Sequence, residues 1–296
     1  MSPTLAERLG FAATDRVAVV HCDDIGMCHA ANEGAYEALA NGPATCGSIM
    51  VPCPWFEEAA ARARANPGFD LGVHLTLNAE WEHYRWGPVA SRDRVPSLLD
   101  AQGNLPRSTL EVVKQAKPEE VEIELRAQIE KALAAGIDVT HIDSHMGTVF
   151  FPQFIPVYAK LAREYRVAAF AVRPDPKTLA ARGLAGAEKI FAGLADLIEG
   201  AGVPLVDAFD ADSLGFGVGE GAAHNAKRIA QLGSGVTYLI CHPAKGGEEL
   251  DASAGGSAHA REFERTFYGG EAGRRALADA GIKTVGMRAL RELMRG

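Results

Sequence analysis

The chain has 296 residues, 47% of them hydrophobic and 23% charged, which is the balance of an ordinary globular protein near the upper size for one hydrophobic core. A formal net charge of −8 gives it no electrostatic reason to bind nucleic acid or an anionic membrane surface, and favours a neutral or cationic small molecule. Five cysteines without paired close spacing read as reduced thiols, residues 1–10 lack a basic patch before an apolar run, and no apolar run approaches the ~20 residues of a membrane span, so a cytoplasmic protein without membrane insertion is expected.

In chain order, β-rich runs are expected at 17–22, 47–51, 71–77, 139–143, 167–173, 204–208, 236–241 and 283–287. Helical stretches are expected between them at 30–41, 55–65, 118–135, 154–164, 187–200, 221–232 and 270–280. In 118–135, Val121, Leu125, Ile129 and Leu133 recur at helical spacing and predict a core-facing stripe. Glu119, Glu120, Glu122 and Glu124 crowd the start, where the helix dipole favours them. Strand–helix alternation repeated seven or eight times predicts an α/β fold. An irregular TIM-like (β/α) barrel of seven or eight strands, one domain over 1–296, is preferred to a doubly wound sheet, with its site at the C-terminal ends of the strands. Residues 80–115 break the rhythm and read as an insertion over the site. Its Trp81, Tyr84 and Trp86 suit either a sugar-stacking wall or a hydrophobic staple. The glycine-rich stretch 244–256 predicts a mobile flap.

Four of the apolar runs end in Asp or His. Val17-Ala18-Val19-Val20-His21-Cys22 stops at Asp23-Asp24; Leu71-Gly72-Val73 leads to His74; Val139-Thr140 leads to His141, Asp143 and His145; and Tyr238-Leu239-Ile240-Cys241 leads to His242. Carboxylates and imidazoles gathered at one end of a parallel sheet suggest one metal-dependent site. Alternation puts His74 with Gly72, Thr76 and Asn78, on the face opposite Leu71, Val73 and Leu75. A histidine satisfied within the core is the plain alternative, and so is a second-layer role for one of His141, Asp143 and His145. Asp23 and Asp24 would point apart on an extended strand, so for both to serve one site the chain must turn, and Ile25-Gly26 permits it. A helix cap is the competing reading of either aspartate.

Taken in order, Asp23-Asp24-Ile25-Gly26, Gly72-Val73-His74-Leu75, Thr140-His141-Ile142-Asp143-Ser144-His145, Phe151-Pro152 and Cys241-His242-Pro243 resemble the motifs of the YdjC-type carbohydrate deacetylases. That group includes chitooligosaccharide deacetylases and enzymes of hopanoid biosynthesis. The resemblance runs over about residues 17 to 293, with Glu262-Phe263-Glu264 and Ala280-Gly281-Ile282 similar to the family's C-terminal pattern. It implies an irregular TIM-like barrel and a metal-dependent hydrolase that removes an acetyl group from an N-acetylated sugar or glycan. It implies one divalent ion on Asp24, His74 and His145, with Asp23 as base and His242 as acid or oxyanion partner. Zinc is favoured for such a donor set, with magnesium or another divalent ion as alternatives. His21, Asn78, His141, Asp143 and Arg173 stand as substrate or second-layer candidates, Arg173 as an orienter of Asp23 or else a surface ion pair. A small N-acetylated carbohydrate is the implied partner, and a homodimer the implied assembly. The chain departs from the family where further histidines often follow the third motif, having Met146-Gly147-Thr148-Val149, and again at Ala244-Lys245; a changed substrate is the expectation.

Two rival functions are a non-enzymatic sugar-binding protein on the same barrel and a 2-His-1-carboxylate iron oxygenase. Weaker features point nowhere definite. Gly215-Phe216-Gly217-Val218-Gly219 lacks the Lys-Ser/Thr of a phosphate loop, and Cys241 and His242 are strand neighbours that point apart.

Overall fold

The computed structural model describes residues 3–173 and 188–296, with backbone alone at 190 and 191. Alternation along β1 (Arg16–Ile25) divides its side chains between two cores. Ala18, Val20 and Cys22 pack outward among apolar residues of the surrounding helices. Val17 and Val19 pack inward with Ala168, Phe170, Val206, Val236 and Tyr238. Leu5, Met287 and Leu290 join this inner cluster from the two chain ends. Side chains therefore fill the middle of the sheet.

The other strands are β2 (Cys46–Ile49), β3 (Leu71–Leu75), β4 (Val139–Ser144), β5 (Ala168–Ala169), β6 (Ala208–Asp210), β7 (Gly235–Cys241) and β8 (Ile282–Thr284). All pair in parallel in the order β5-β4-β3-β2-β1-β7-β6. β8 lies beside the start of β1, at Arg16 to Ala18. A bridge from Val172 to Val206 joins the two ends of the curled sheet. The architecture is the expected irregular TIM-like barrel, with seven strands in the curl and an eighth attached at its base.

The irregularity is concentrated opposite β1. β5 has two residues instead of the expected seven. β6 begins at Ala208, because Val206 is taken up by the bridge and the Asp207 N–H by Val236 O. Helices at Thr109–Gln115, Glu248–Ala254, Ala258–Tyr268 and Met287–Arg295 were not foreseen. The glycine-rich stretch is therefore largely helical and not an open flap. Glu249 ties it to the helix His29–Asn41 by accepting from the His29 and Ala30 N–H groups, at 3.2 and 2.7 Å. The stretch 80–115, expected to be an insertion, is packed down by buried Trp86, Val95, Leu98 and Leu105. Glu124, on the helix Pro118–Ala134, is buried and accepts from the Val89 and Ala90 N–H groups at 2.9 and 2.8 Å. Among the described residues, no helix is long and apolar enough to cross a membrane.

Candidate metal centre and active site

The expected turn after β1 begins one residue early. Asp24 itself has φ +65°, in the left-handed region that costs a non-glycine residue roughly 1–2 kcal/mol, and Gly26 follows with φ +88°. The pairing of β1 with β2 shifts register between Cys22 and Ile25. This kink lets two sequential carboxylates, Asp23 and Asp24, line one cavity.

Asp24, His74 and His145 converge there from β1, β3 and the turn after β4. Asp24 Oδ1 lies 3.5 Å from His74 Nε2 and 3.3 Å from His145 Nδ1. The far nitrogen of each imidazole is held by another carboxylate. His74 Nδ1 is 2.8 Å from Asp143 Oδ1, and His145 Nε2 is 3.0 Å from Glu80 Oε2. A histidine that gives its outer N–H to a carboxylate presents the other nitrogen's lone pair, the usual preparation of a metal ligand. Asp24 Oδ2 accepts from Arg261 Nη1 at 2.8 Å, while buried Oδ1 has no hydrogen-bond partner. An orphaned carboxylate oxygen facing two imidazole nitrogens fits a divalent cation. Burial opposes charge on Asp24, yet Arg261, His145 and His74 hold its carboxyl well below the usual range.

Among the described residues, two other groups of potential ligands away from Asp23 are engaged with neighbours. In His21, Cys46 and His141 the thiol is pushed well up by burial, and the two imidazoles are bonded together at 2.9 Å. His29, Glu33 and Glu58 are partly exposed and engaged with Arg62 and Lys245.

Asp23 stands beside the metal candidates without joining them. Its Oδ1 is held at 2.7 Å by His21 Nδ1. Its Oδ2 is 3.8 Å from His74 Nε2 and 3.7 Å from His242 Nε2. His21 stacks on Tyr238 and continues to His141, whose Nδ1 is 2.8 Å from Thr140 Oγ1. Burial, reinforced by neighbouring His21, pushes His141 down to about 3, so it is neutral. His242 is pushed down to about 4 by burial. Behind it, Ser213 Oγ lies 2.9 Å from Nδ1 and donates to Glu264 Oε2 at 2.6 Å. The same oxygen accepts the His242 backbone N–H at 2.6 Å, and Arg228 Nη1 donates to Oε1 at 3.1 Å.

The cavity encloses about 550 Å³. Its polar lining includes Asp23, Asp24, His74, His145, His242 and Arg261, and its apolar lining includes Phe170, Leu194, Ile198 and Phe209. Asp143 also lines it while touching His74, Ser48 and Tyr238. Asn78 sits behind the cavity, its Oδ1 accepting from Thr148 and its carbonyl from Trp86 Nε1. Arg173 pairs with Asp196 and Glu199 at 2.9 and 3.1 Å, so it is the surface ion pair and not the orienter of Asp23. Trp81 lines the cavity, whereas Tyr84 donates to Met27 O and Trp86 is buried, so these two serve as the staple. Glu80, Ser213, Arg261 and Glu264 were not singled out for the site. Two signals came near: Glu80 opens the stretch 80–115, and Glu264 falls in the family-like Glu262-Phe263-Glu264 pattern.

A family model described as YdjC-like protein matches residues 17–279. A carbohydrate deacetylase from Thermus thermophilus is 42% identical over 163 residues, 55% of this chain and 56% of the relative. One from Geobacillus stearothermophilus is 31% identical over 230 residues, 77% of this chain and 80% of the relative. With the Thermus thermophilus and Brevibacillus brevis relatives, the matched stretch spans only 56% of their length. A crystal structure from Enterococcus faecalis, described as that of a candidate cellobiose-phosphate cleavage protein, superposes with a TM-score of 0.73 at 24% identity, covering 93% of this chain and 99% of its own, which extends the likeness of fold.

Proposed function

Because the chain belongs to the YdjC-like family, we propose that it is a metal-dependent hydrolase that releases acetate from an N-acetylated sugar. The observation that carries this reading is the meeting of Asp24 Oδ1, His74 Nε2 and His145 Nδ1 beside a carboxylate, Asp23, that keeps one oxygen free. Asp24, His74 and His145 would hold the ion. Zinc suits one carboxylate and two imidazoles with positions left open. When bound, the ion supplies polarisation of the amide carbonyl and acidification of water.

The chain's own residues then carry the proton. His21 fixes Asp23 Oδ1, so Oδ2 faces the cavity and accepts the proton of the attacking water. His242 Nε2, 3.7 Å away, takes that proton on and passes it to the leaving amine nitrogen as the C–N bond breaks. Water is thereby divided, its hydroxyl to the acetyl carbon and its proton to the sugar amine. Trp81 lines the same cavity and its Nε1–H is buried without a partner, a donor for a substrate oxygen. All five cysteines are buried and unpaired, which fits the reducing environment of a cytoplasm.

The test is acetate release from N-acetylated sugars, with metal content measured alongside. Asp24→Asn keeps a residue tolerant of the left-handed backbone and is expected to lose both metal and turnover. Asp23→Asn is expected to retain the metal while turnover falls about 10²–10⁴-fold, the usual share of a general base. Full metal content in the first variant, or full turnover in the second, overturns these assignments.

A further inference from the structure

His242 reaches the cavity through Nε2, and what it can do there depends on where its single proton rests. Its Nδ1 meets Ser213 Oγ at 2.9 Å. A serine hydroxyl has one hydrogen, and here that hydrogen has a stronger acceptor, Glu264 Oε2 at 2.6 Å. Burial pushes Glu264 up to about 7 against the pull of Arg228, so above that pH it is a carboxylate, fixed in its accepting role from both sides. Oε2 also takes the His242 backbone N–H, and Oε1 faces the Arg228 guanidinium, itself held by Asp210 Oδ1 and Ile240 O at 2.8 and 2.6 Å. With its hydrogen committed to Glu264, Ser213 Oγ can only accept from Nδ1–H. The proton of neutral His242 therefore sits on the side away from the cavity, and the Nε2 lone pair faces Asp23.

We propose that Ser213 and Glu264 are positioning residues that hold His242 in the Nδ1–H tautomer, so that it enters the reaction as a proton acceptor and becomes the acid only after Asp23 has passed it the proton of the attacking water. This rests on the deacetylase reading for its catalytic half, though the tautomer itself does not. Once Nε2 is protonated, the imidazolium's Nδ1–H remains bonded to Ser213, whose hydroxyl leans on the Glu264 carboxylate, and the positive charge is spread towards an anion. Transfer of the Nε2 proton to the amine, as the C–N bond breaks, restores the neutral ring with its proton still on Nδ1. No proton is left over: the one lost by water ends on the amine. Were the resting proton on Nε2 instead, that nitrogen would have no lone pair to take the proton from Asp23 across 3.7 Å, and donation to the amine first would leave a high-energy imidazolate. Both residues are fully buried. A serine and a glutamate so placed, with Arg228 completing the carboxylate's partners, form a built support and not an incidental contact.

The experiment combines ring-nitrogen NMR of protein labelled at histidine with kinetics on the metal-loaded protein. Wild type is expected to give the Nδ1–H pattern for His242, with the signal identified by its loss in His242→Gln. Ser213→Ala is expected to shift the ring towards Nε2–H and to lower kcat about 10–100-fold, with KM and metal content unchanged. Ser213→Thr, which keeps the hydroxyl, is expected to restore both the spectrum and kcat. An Nε2–H ring in wild type, or a Ser213→Ala protein with unaltered tautomer and kcat, overturns the proposal. If the ring responds as expected while no N-acetylated sugar yields acetate, the positioning role stands and the deacetylase reading falls. If acetate is released and the ring does not respond, the reverse holds.

Discussion

Each imidazole in the cavity has its free nitrogen chosen by a neighbour: Asp143 for His74, Glu80 for His145. The residues at the strand ends were legible in the sequence because a hydrophobic run that stops in Asp or His is conspicuous. Their partners were not. Glu80 lies at the edge of an irregular stretch among other charges, and nothing in its spacing marks it out. Glu80→Ala leaves His145 Nε2 without its carboxylate and should weaken metal binding about 10–100-fold, measured by competition with a metallochromic chelator, while far-UV dichroism stays the same. Wild-type affinity in that variant would mean that His145 needs no orienting partner. Arg173 misled for the opposite reason: a strand-end arginine resembles a site residue until Asp196 and Glu199 are seen to claim it.

Among the elements, strands were read well where both faces are buried, as in β1, β3, β4 and β7, since a continuous apolar run leaves few alternatives. The helix Ala258–Tyr268 was missed because its inward stripe contains Arg261 and Glu264, so its apolar period is broken by the very charges that serve the site. The helix His29–Asn41 has an equally specific part. A Cβ added at Gly34 would stand 2.5 Å from Pro243 O and from Ala244 Cα, against the backbone that follows His242. Gly34→Ala must therefore move either the helix or that loop. Its higher helix propensity adds up to ~1 kcal/mol of stability, but overpacking against backbone costs about 1–3 kcal/mol. A lower Tm is expected, together with reduced kcat from a displaced His242. A variant with raised Tm and full kcat would show that the contact is slack.

For the molecule as a whole, the proposed metal would compete with protons for one set of lone pairs. In the metal-free protein, burial works against charge on His145, but Glu80 and Asp24 outweigh it and push it up to about 9. His74 is likewise held well above its ordinary value, by Asp143 and Asp23 against burial. A folded-state value above the unfolded one stabilises fully below about 6.5 and is lost as pH rises through about 9. The metal-free Tm should therefore fall over that interval. Binding of an ion at the proposed site would have to expel these protons, so affinity should rise with pH up to about 9 and the Tm gap between loaded and stripped protein should widen. Calorimetry in buffers of different ionisation enthalpy would count the protons released, and a count of zero would contradict the ligand set. The barrel itself was legible from strand–helix alternation; its weak side was not, because strands of two and three residues leave almost no periodicity to read.

That weak side has a dynamic consequence. β1 and β7 are zipped together from Arg16 to Cys22, whereas at the opposite seam the Val206 amide donates to Ala171 O beside a lone bridge. Among the described residues few bonds cross this seam, and Ala171 and Val172 border the cavity. In deuterated solvent the Val206 amide should exchange well ahead of those at Val19 and Val20, so the cavity wall at this seam breathes while β1 stays shut against β7.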